Sequence, residues 1–405
     1  RSARRCATLC AAAGRDGLKM EISQSARSLA LIERADLQQL LEALQNRGYQ
    51  TIGPVARDGA IVYDTLASIE DLPAGWTDEQ EPGRYRLKRR EDRKLFGYVV
   101  GPHSWKRFLH PSAIRLWQAK RDADGLRLIP NAEPAPRYAF LGVRACELRA
   151  IAVQDRVFLS RKFQEPIYAQ RRANTFIVAI NCGQAGGTCF CVSMHSGPQA
   201  KEGFDLALTE VLEGSRHYFV TEIGSPQGAE VLAQIPHREA TPDEQAAAER
   251  EIANANAQMG RTMEADGLQA LLRRNIEHPQ WDKVAERCLN CGNCTMVCPT
   301  CFCTTVEDTT DLTGETAERW RHWDSCFTLD FSYIHGGNAR SNPAARYRQW
   351  ITHKLGTWHD QFGESGCVGC GRCITWCPVG IDITEEIAAL RRSESASKER
   401  TDGES

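Results

Sequence analysis

Two short cysteine runs constrain this chain more than any other feature. The first reads Cys288-Leu-Asn-Cys291-Gly-Asn-Cys294-Thr-Met-Val-Cys298-Pro299, and the second Cys367-Val-Gly-Cys370-Gly-Arg-Cys373-Ile-Thr-Trp-Cys377-Pro378. Both follow the C-x2-C-x2-C-x3-C-P spacing that holds iron–sulfur cubanes. Three thiolates spaced by two residues wrap one face of a cubane, and the turn that carries them leaves backbone N–H groups aimed at the sulfides. The fourth cysteine lies too far along the following helix to reach the same cluster, so where two clusters are present it ligates the other. The spacing therefore assigns Cys288, Cys291, Cys294 and Cys377 to one [4Fe-4S] cluster, and Cys367, Cys370, Cys373 and Cys298 to a second. Structural zinc asks for two cysteine pairs separated by about 15–20 residues, which neither run offers.

Seventeen cysteines in 405 residues are too many for incidental thiols. Disulfide scaffolds of secreted proteins are short chains with small cores, whereas this chain is 42% apolar and long enough to build its own core. The cysteines therefore serve chemistry, and the expected compartment is reducing, the cytoplasm. A net charge of −2 gives no field that points to nucleic acid or anionic lipid. No segment approaches the roughly 18–20 consecutive apolar residues of a membrane span.

The fold class expected is α+β. Residues 1–19 read as a disordered extension, with Met20 a plausible start, and 20–240 as an α/β domain. Residues 241–287 read as a helical linker. Residues 288–392 read as a ferredoxin-like domain with a large insertion at 299–366, and 393–405 as a disordered tail. Leucines at 37, 40, 41 and 44 have helical spacing, and strand-like pieces follow at 51–55 and 60–63. Pro- and Gly-rich stretches at 71–83 and 131–137 read as linkers. Residues 138–143 and 175–180 read as buried strands flanking a helix at 147–155, the order of a parallel pair with a right-handed crossover. Thr241-Pro-Asp-Glu244 is a capping box that opens a helix to about residue 257, and 268–287 looks helical. The insertion is rich in aromatic and basic residues, among them Arg319, Trp320, Arg321, Trp323, Tyr347, Trp350, Lys354 and Trp358. Such a segment suits a cover over the clusters, a partner-docking surface, or both.

Each of the two buried strands runs into cysteine. Cys146 follows the first, and Cys182, Cys189 and Cys191 follow the second, with Gly183, Gly186 and Gly187 between them. Ligands of open α/β sheets gather beyond the carboxyl ends of the strands, so these four thiols form a candidate third cluster; a zinc site and inert buried thiols are the other readings. Cys301, Cys303 and Cys326 are left, one thiol short of a set, and read as buried thiols. Thr300-Cys-Phe-Cys303 nevertheless repeats Thr188-Cys-Phe-Cys191. No Gly-x-Gly-x-x-Gly fingerprint, Walker loop or Gly-x-Ser-x-Gly elbow is present, so flavin, nucleotide and hydrolase chemistry have no visible seat.

Residues 288–303, 319–337 and 366–384, with Gly142-Val-Arg-Ala-Cys146 and Gly186-Gly-Thr-Cys-Phe-Cys191, resemble the beta subunit of cytoplasmic [NiFe] sulfhydrogenases. The same architecture resembles the A subunit of anaerobic sulfite reductase. The resemblance runs from about residue 20 to 390. It implies a non-catalytic electron-transfer subunit working between hydrogenase small and large subunits and a flavoprotein that handles NAD(P)H. A sulfite reductase partner is the alternative, and an iron–sulfur sensor or scaffold is a third reading from a different class.

Overall fold

Apolar runs bounded by polar turns build the sheet of the N-terminal half. The structure, a computed structural model, describes residues 29–402 apart from 124, 132–133 and 161–163, so the extension expected at 1–19 lies outside the described residues. Its strands are β1 (Ala30–Glu33), β2 (Gln50–Arg57), β3 (Ala60–Thr65), β4 (Trp76–Glu81), β5 (Arg84–Arg89), β6 (Ala113–Asp122), β7 (Gly125–Pro130), β8 (Tyr138–Val143), β9 (Thr175–Ile180), β10 (Leu206–Glu213), β11 (Arg216–Ile223), β12 (Arg238–Glu239), β13 (Thr304–Thr310) and β14 (Thr316–Trp323). Eight of them form one sheet in the order β12-β1-β11-β10-β9-β8-β2-β3. Its centre, β10-β9-β8-β2, is parallel, and antiparallel strands close both flanks.

Strands buried on both faces need apolar residues at every position, and β8 and β9 supply them. Phe176, Val178 and Ile180 face one core with Leu40, Leu41 and Leu44 of the helix Leu37–Asn46. Ile177 and Ala179 face the opposite core with Phe140, Trp105 and Tyr168. Burial of each large side chain contributes about 1.5–3 kcal/mol. The capping box forms as expected: Thr241 N–H donates to Glu244 at 2.9 Å, and Glu244 N–H to Thr241 Oγ1 at 3.4 Å. The helix it opens, Pro242–Ala257, rests Ala247 and Ala248 on Val211, Tyr218 and Val220 of the sheet. It is part of the N-terminal layer rather than a free linker.

Three local expectations change. Residues 71–83 are not a linker, because β4 and β5 pair there as a hairpin turning at Pro82-Gly83. Its inward residues include Asp78 and Gln80, both buried and polar, which hides the usual apolar alternation. The helical stretch at 268–287 breaks into Leu268–Arg274 and Gln280–Ala285, because Pro279 cannot continue the first helix. The tail expected to be disordered from 393 is helical to Asp402, within the helix Ile383–Asp402. Glu394 on that helix accepts from Arg274 at 2.9 Å and Asn275 at 2.7 Å.

The two halves share structure. β13 and β14 of the insertion pair with β6 and β7 of the N-terminal half in one antiparallel sheet, β13-β14-β6-β7. A third core gathers Trp281, Phe327, Tyr347, Trp350, Ile374, Ile381 and Ile387 around the cysteine runs. The aromatic insertion therefore acts as a cover at Tyr347, Trp350 and Trp358, which are buried.

One buried ion pair pins the halves together. Arg372, in the second run, is fully buried and reaches Glu147 on the helix Ala145–Phe158 at 2.5 Å. It also donates to the carbonyls of Gly101 and His103, both at 2.9 Å. Glu147 accepts in addition from Tyr63 Oη at 2.7 Å and Trp105 Nε1 at 3.0 Å. Arg372→Met would leave that carboxylate buried and without its counter-ion, at a cost of about 3–5 kcal/mol. Anaerobic urea unfolding should show the midpoint fall accordingly; an unchanged midpoint would mean that Arg372 does not hold the interface.

Candidate metal centres

The two runs fold as copies of one loop. The residue before each second cysteine and the residue after it adopt left-handed backbone: Asn290 (φ 53°) and Gly292 (φ 73°) in the first run, Gly369 (φ 63°) and Gly371 (φ 75°) in the second. Glycine adopts this region freely and asparagine tolerates it. Each loop then enters a one-turn helix, Asn293–Met296 or Arg372–Thr375, that carries the third cysteine. The reversal turns main-chain N–H groups toward sulfur. Gly369 N–H lies 3.5 Å from Cys367 Sγ, Ile381 N–H lies 3.3 Å from Cys377 Sγ, and Asn290 N–H faces the Cys288 thiol.

Cysteines of the two runs meet in space. Cys288, Cys291, Cys294 and Cys377 line one recess, walled by Phe327, Tyr347, Trp350 and Ile381. Cys298 lies among the other run's thiols, close enough for its charge to act on Cys367, Cys370 and Cys373. Cys373 also lines the first recess, so the two sites adjoin. Among the described residues, no three histidine, cysteine or acidic side chains converge closely enough to share a single metal ion.

The third thiol set also comes together. Cys146 opens the helix after β8, while Cys182, Cys189 and Cys191 follow β9. The charges of Cys182 and Cys189 act on Cys191, and Cys191 and Cys370 act on Cys146. This set packs against the second run: Phe190 N–H donates to Gly369 O at 2.9 Å, and Cys146, Cys191 and Cys370 share one core with Val100 and Val368.

Burial sets the chemistry of these thiols. It pushes Cys367 and Cys189 up to about 12 and raises Cys294 and Cys373 well above the ordinary thiol value. Bare, they stay protonated at neutral pH, so iron binding displaces their protons and weakens as pH falls. Cys298 is the exception. A hydrogen bond from Cys301, and the Lys354 ammonium at 3.3 Å from its sulfur, hold it well below the ordinary thiol value.

Sequence reading missed the parts that surround the thiols. The β4–β5 hairpin lies on the second run: Gly83 N–H donates to Ile374 O at 3.1 Å, and Tyr85 stacks on Trp376 at 5.1 Å. Gln80 Oε1 accepts from Thr188 at 3.1 Å and Thr375 at 2.9 Å, tying the third set to the second run. The buried cations Arg144, Lys106 and Lys354 carry no motif at all; only the Arg-Ala-Cys146 neighbourhood of Arg144 offered a hint.

Residues 287–381 match the family model of a 4Fe-4S dicluster domain. The sulfhydrogenase 2 subunit beta of Pyrococcus furiosus is 34% identical over 259 residues, covering 63% of this chain and 74% of that protein. No solved structure matches this chain.

Close packing of the third set on the second run makes a sharp steric test. A Cβ at Gly371 would lie 2.4 Å from the Thr188 carbonyl oxygen, on backbone at φ +75° that already disfavours a side chain. Gly371→Ala should push the two loops apart and lower the iron retained per chain after anaerobic purification; full iron content in that variant would show that the contact is dispensable.

Proposed function

The chain belongs to the sulfhydrogenase beta-subunit family, and from that membership we propose that it relays electrons between a [NiFe] hydrogenase module, with its small and large subunits, and a flavoprotein subunit that handles NAD(P)H. It is an iron–sulfur electron-transfer subunit. A [4Fe-4S] cluster in each ferredoxin-type site would accept and release one electron at a time. We assign Cys288, Cys291, Cys294 and Cys377 to the first cluster and Cys298, Cys367, Cys370 and Cys373 to the second.

Contiguity of the thiol sets carries this reading. Cys373 borders the first recess, and Cys370 packs with Cys146 and Cys191 of the third set. The residues between the sets are buried: Ile374, Val368 and Val100 exclude water from the gaps. At one end the row reaches the surface, where Cys291 and Leu289 are exposed, which suits exchange with a docked partner.

The third set, Cys146, Cys182, Cys189 and Cys191, is proposed to hold a third [4Fe-4S] cluster. Arg144 supports this. Its guanidinium is buried and donates to the carbonyls of Phe96 at 2.9 Å and Tyr98 at 2.7 Å and to the Cys182 thiol. No carboxylate forms an ion pair with it among the described residues, so an anionic group at the thiols would supply its counter-charge. The fifteen described cysteines are all free, which favours the cytoplasm, and no described helix is long and apolar enough to cross a membrane.

The test is genetic and chemical. Cys291→Ser or Cys370→Ser should abolish hydrogen-dependent reduction of pyridine nucleotide in the purified complex while the catalytic module still reduces artificial dyes. Nucleotide-linked turnover surviving both changes would end the relay reading. A tag on this chain should also bring down nickel and flavin; sirohaem without nickel would move the assignment to sulfite reduction.

A further inference from the structure

We propose that Cys301, Cys303 and Cys326 hold a further iron–sulfur cluster, bound by three thiolates, beside the two ferredoxin-type sites. These thiols belong to neither run's set nor to the set after β8 and β9, and the proposal stands apart from the relay reading.

The backbone brings them together by design of the insertion. β13 and β14 begin their ladder at the pair Thr304–Trp323, so Cys303 and Cys326 flank the base of that hairpin. Asp324 N–H donates to Cys303 O at 2.8 Å, and the Cys326 N–H faces the Cys303 sulfur. That N–H···S contact matches those at Cys367 and Cys377. Cys301 lies against Cys298, and the charge of Cys326 acts on Cys294, so the three thiols sit next to both ferredoxin-type sites. The segment Thr300-Cys-Phe-Cys303 also repeats the docking of Thr188-Cys-Phe-Cys191. Each threonine is fully buried, and each bonds the second run or its approach: Thr300 Oγ1 to Gly366 O at 2.6 Å, Thr188 Oγ1 to Thr375 Oγ1 at 2.8 Å.

An independent observation calls for negative charge here. Lys354 and Lys106 are 3% and 4% exposed. Lys354 Nζ meets Cys298 Sγ at 3.3 Å, Thr300 Oγ1 at 2.9 Å and Gly366 O at 3.2 Å. Lys106 Nζ donates to Cys301 O at 3.0 Å and lies 3.9 Å from the Trp323 ring centroid. Neither lysine has a carboxylate partner among the described residues. Lys354 faces the Cys298 sulfur of the second site, whereas Lys106 has only a carbonyl and an aromatic ring as partners; an ammonium out of water without a counter-ion is costly, and inert thiols do not compensate it. A cluster core with three thiolates is anionic in both oxidation states and sits where both cations reach: Lys354 acts on Cys301, Cys303 and Cys326, and Lys106 on Cys301 and Cys303. Lys354 is carried by a π-helical turn, His353–Thr357, a widening that recurs at functional sites. The fourth iron corner would carry no thiolate; Asp324 is the acidic group that acts on Cys303.

The full chain, purified anaerobically with its iron, tests this. Cys326→Ser should lose iron and acid-labile sulfide equal to one cluster, about three to four of each per chain, and keep the clusters of the two runs. Mild ferricyanide oxidation of the wild-type chain should release one ferrous ion and pass one electron to ferricyanide from a [4Fe-4S]2+ core, leaving a [3Fe-4S]+ paramagnetic signal, because the corner without a thiolate is the labile one. Unchanged iron in Cys326→Ser, no such signal in the wild type, or the same signal in the variant would each overturn the proposal. Should Cys326→Ser fail to fold, Cys303→Ser and the wild-type oxidation decide it.

Discussion

Charge compensation inside the protein is the constraint on which the rest of the structure depends. Arg144, Arg372, Lys106 and Lys354 are all withdrawn from water, in a molecule whose net charge is only −2. An isolated buried cation is unfavourable, so each has to face something negative. Arg372 finds Glu147; the other three face sulfur and main-chain oxygen. The N-terminal half supplies Arg144, Glu147 and Lys106, and the C-terminal half supplies Lys354, Arg372 and most of the thiols. The halves hold together because neither is electrically complete alone.

The second cysteine run is the hub of that arrangement. The β4–β5 hairpin touches it through Gly83, the third thiol set through Phe190, and the N-terminal helix Ala145–Phe158 through Arg372. Its two glycines at positive φ are pressed against Thr188 and Phe190, so the conformation that bends the loop around sulfur also lets the neighbouring chain approach. The first run has no comparable cover: Cys291 and Leu289 stay exposed. One end of the row of thiols is thereby sealed and the other left open.

The legible parts of this molecule were the local ones. Both runs declare themselves by spacing, and β8 and β9 by apolar runs that end at cysteine, because the determinants sit within a few residues of each other. The expected grouping of Cys377 with the first run and Cys298 with the second rests on how far a fourth cysteine lies along the chain. What stayed hidden was non-local or polar. The β4–β5 hairpin buries Asp78 and Gln80 instead of apolar residues, so its alternation resembles a loop. The pairing of β6 with β14 joins strands whose faces are largely polar and whose partners lie in different halves of the chain. Lys106 and Lys354 look like any surface lysine until the fold surrounds them.

The interleaving of Cys288 and Cys377 at one recess bears on how the protein is made in the cell. The first run leaves the ribosome well before the cysteine that completes its recess, and the whole insertion emerges in between. Strands β13 and β14 of that insertion have β6 ready to receive them, since the N-terminal half is already synthesised. During translation the first run is therefore a partial set of thiols, open to stray metals and oxidants. Under the proposed grouping, metal delivery to this recess has to wait until Cys377 is made, after the whole insertion has emerged.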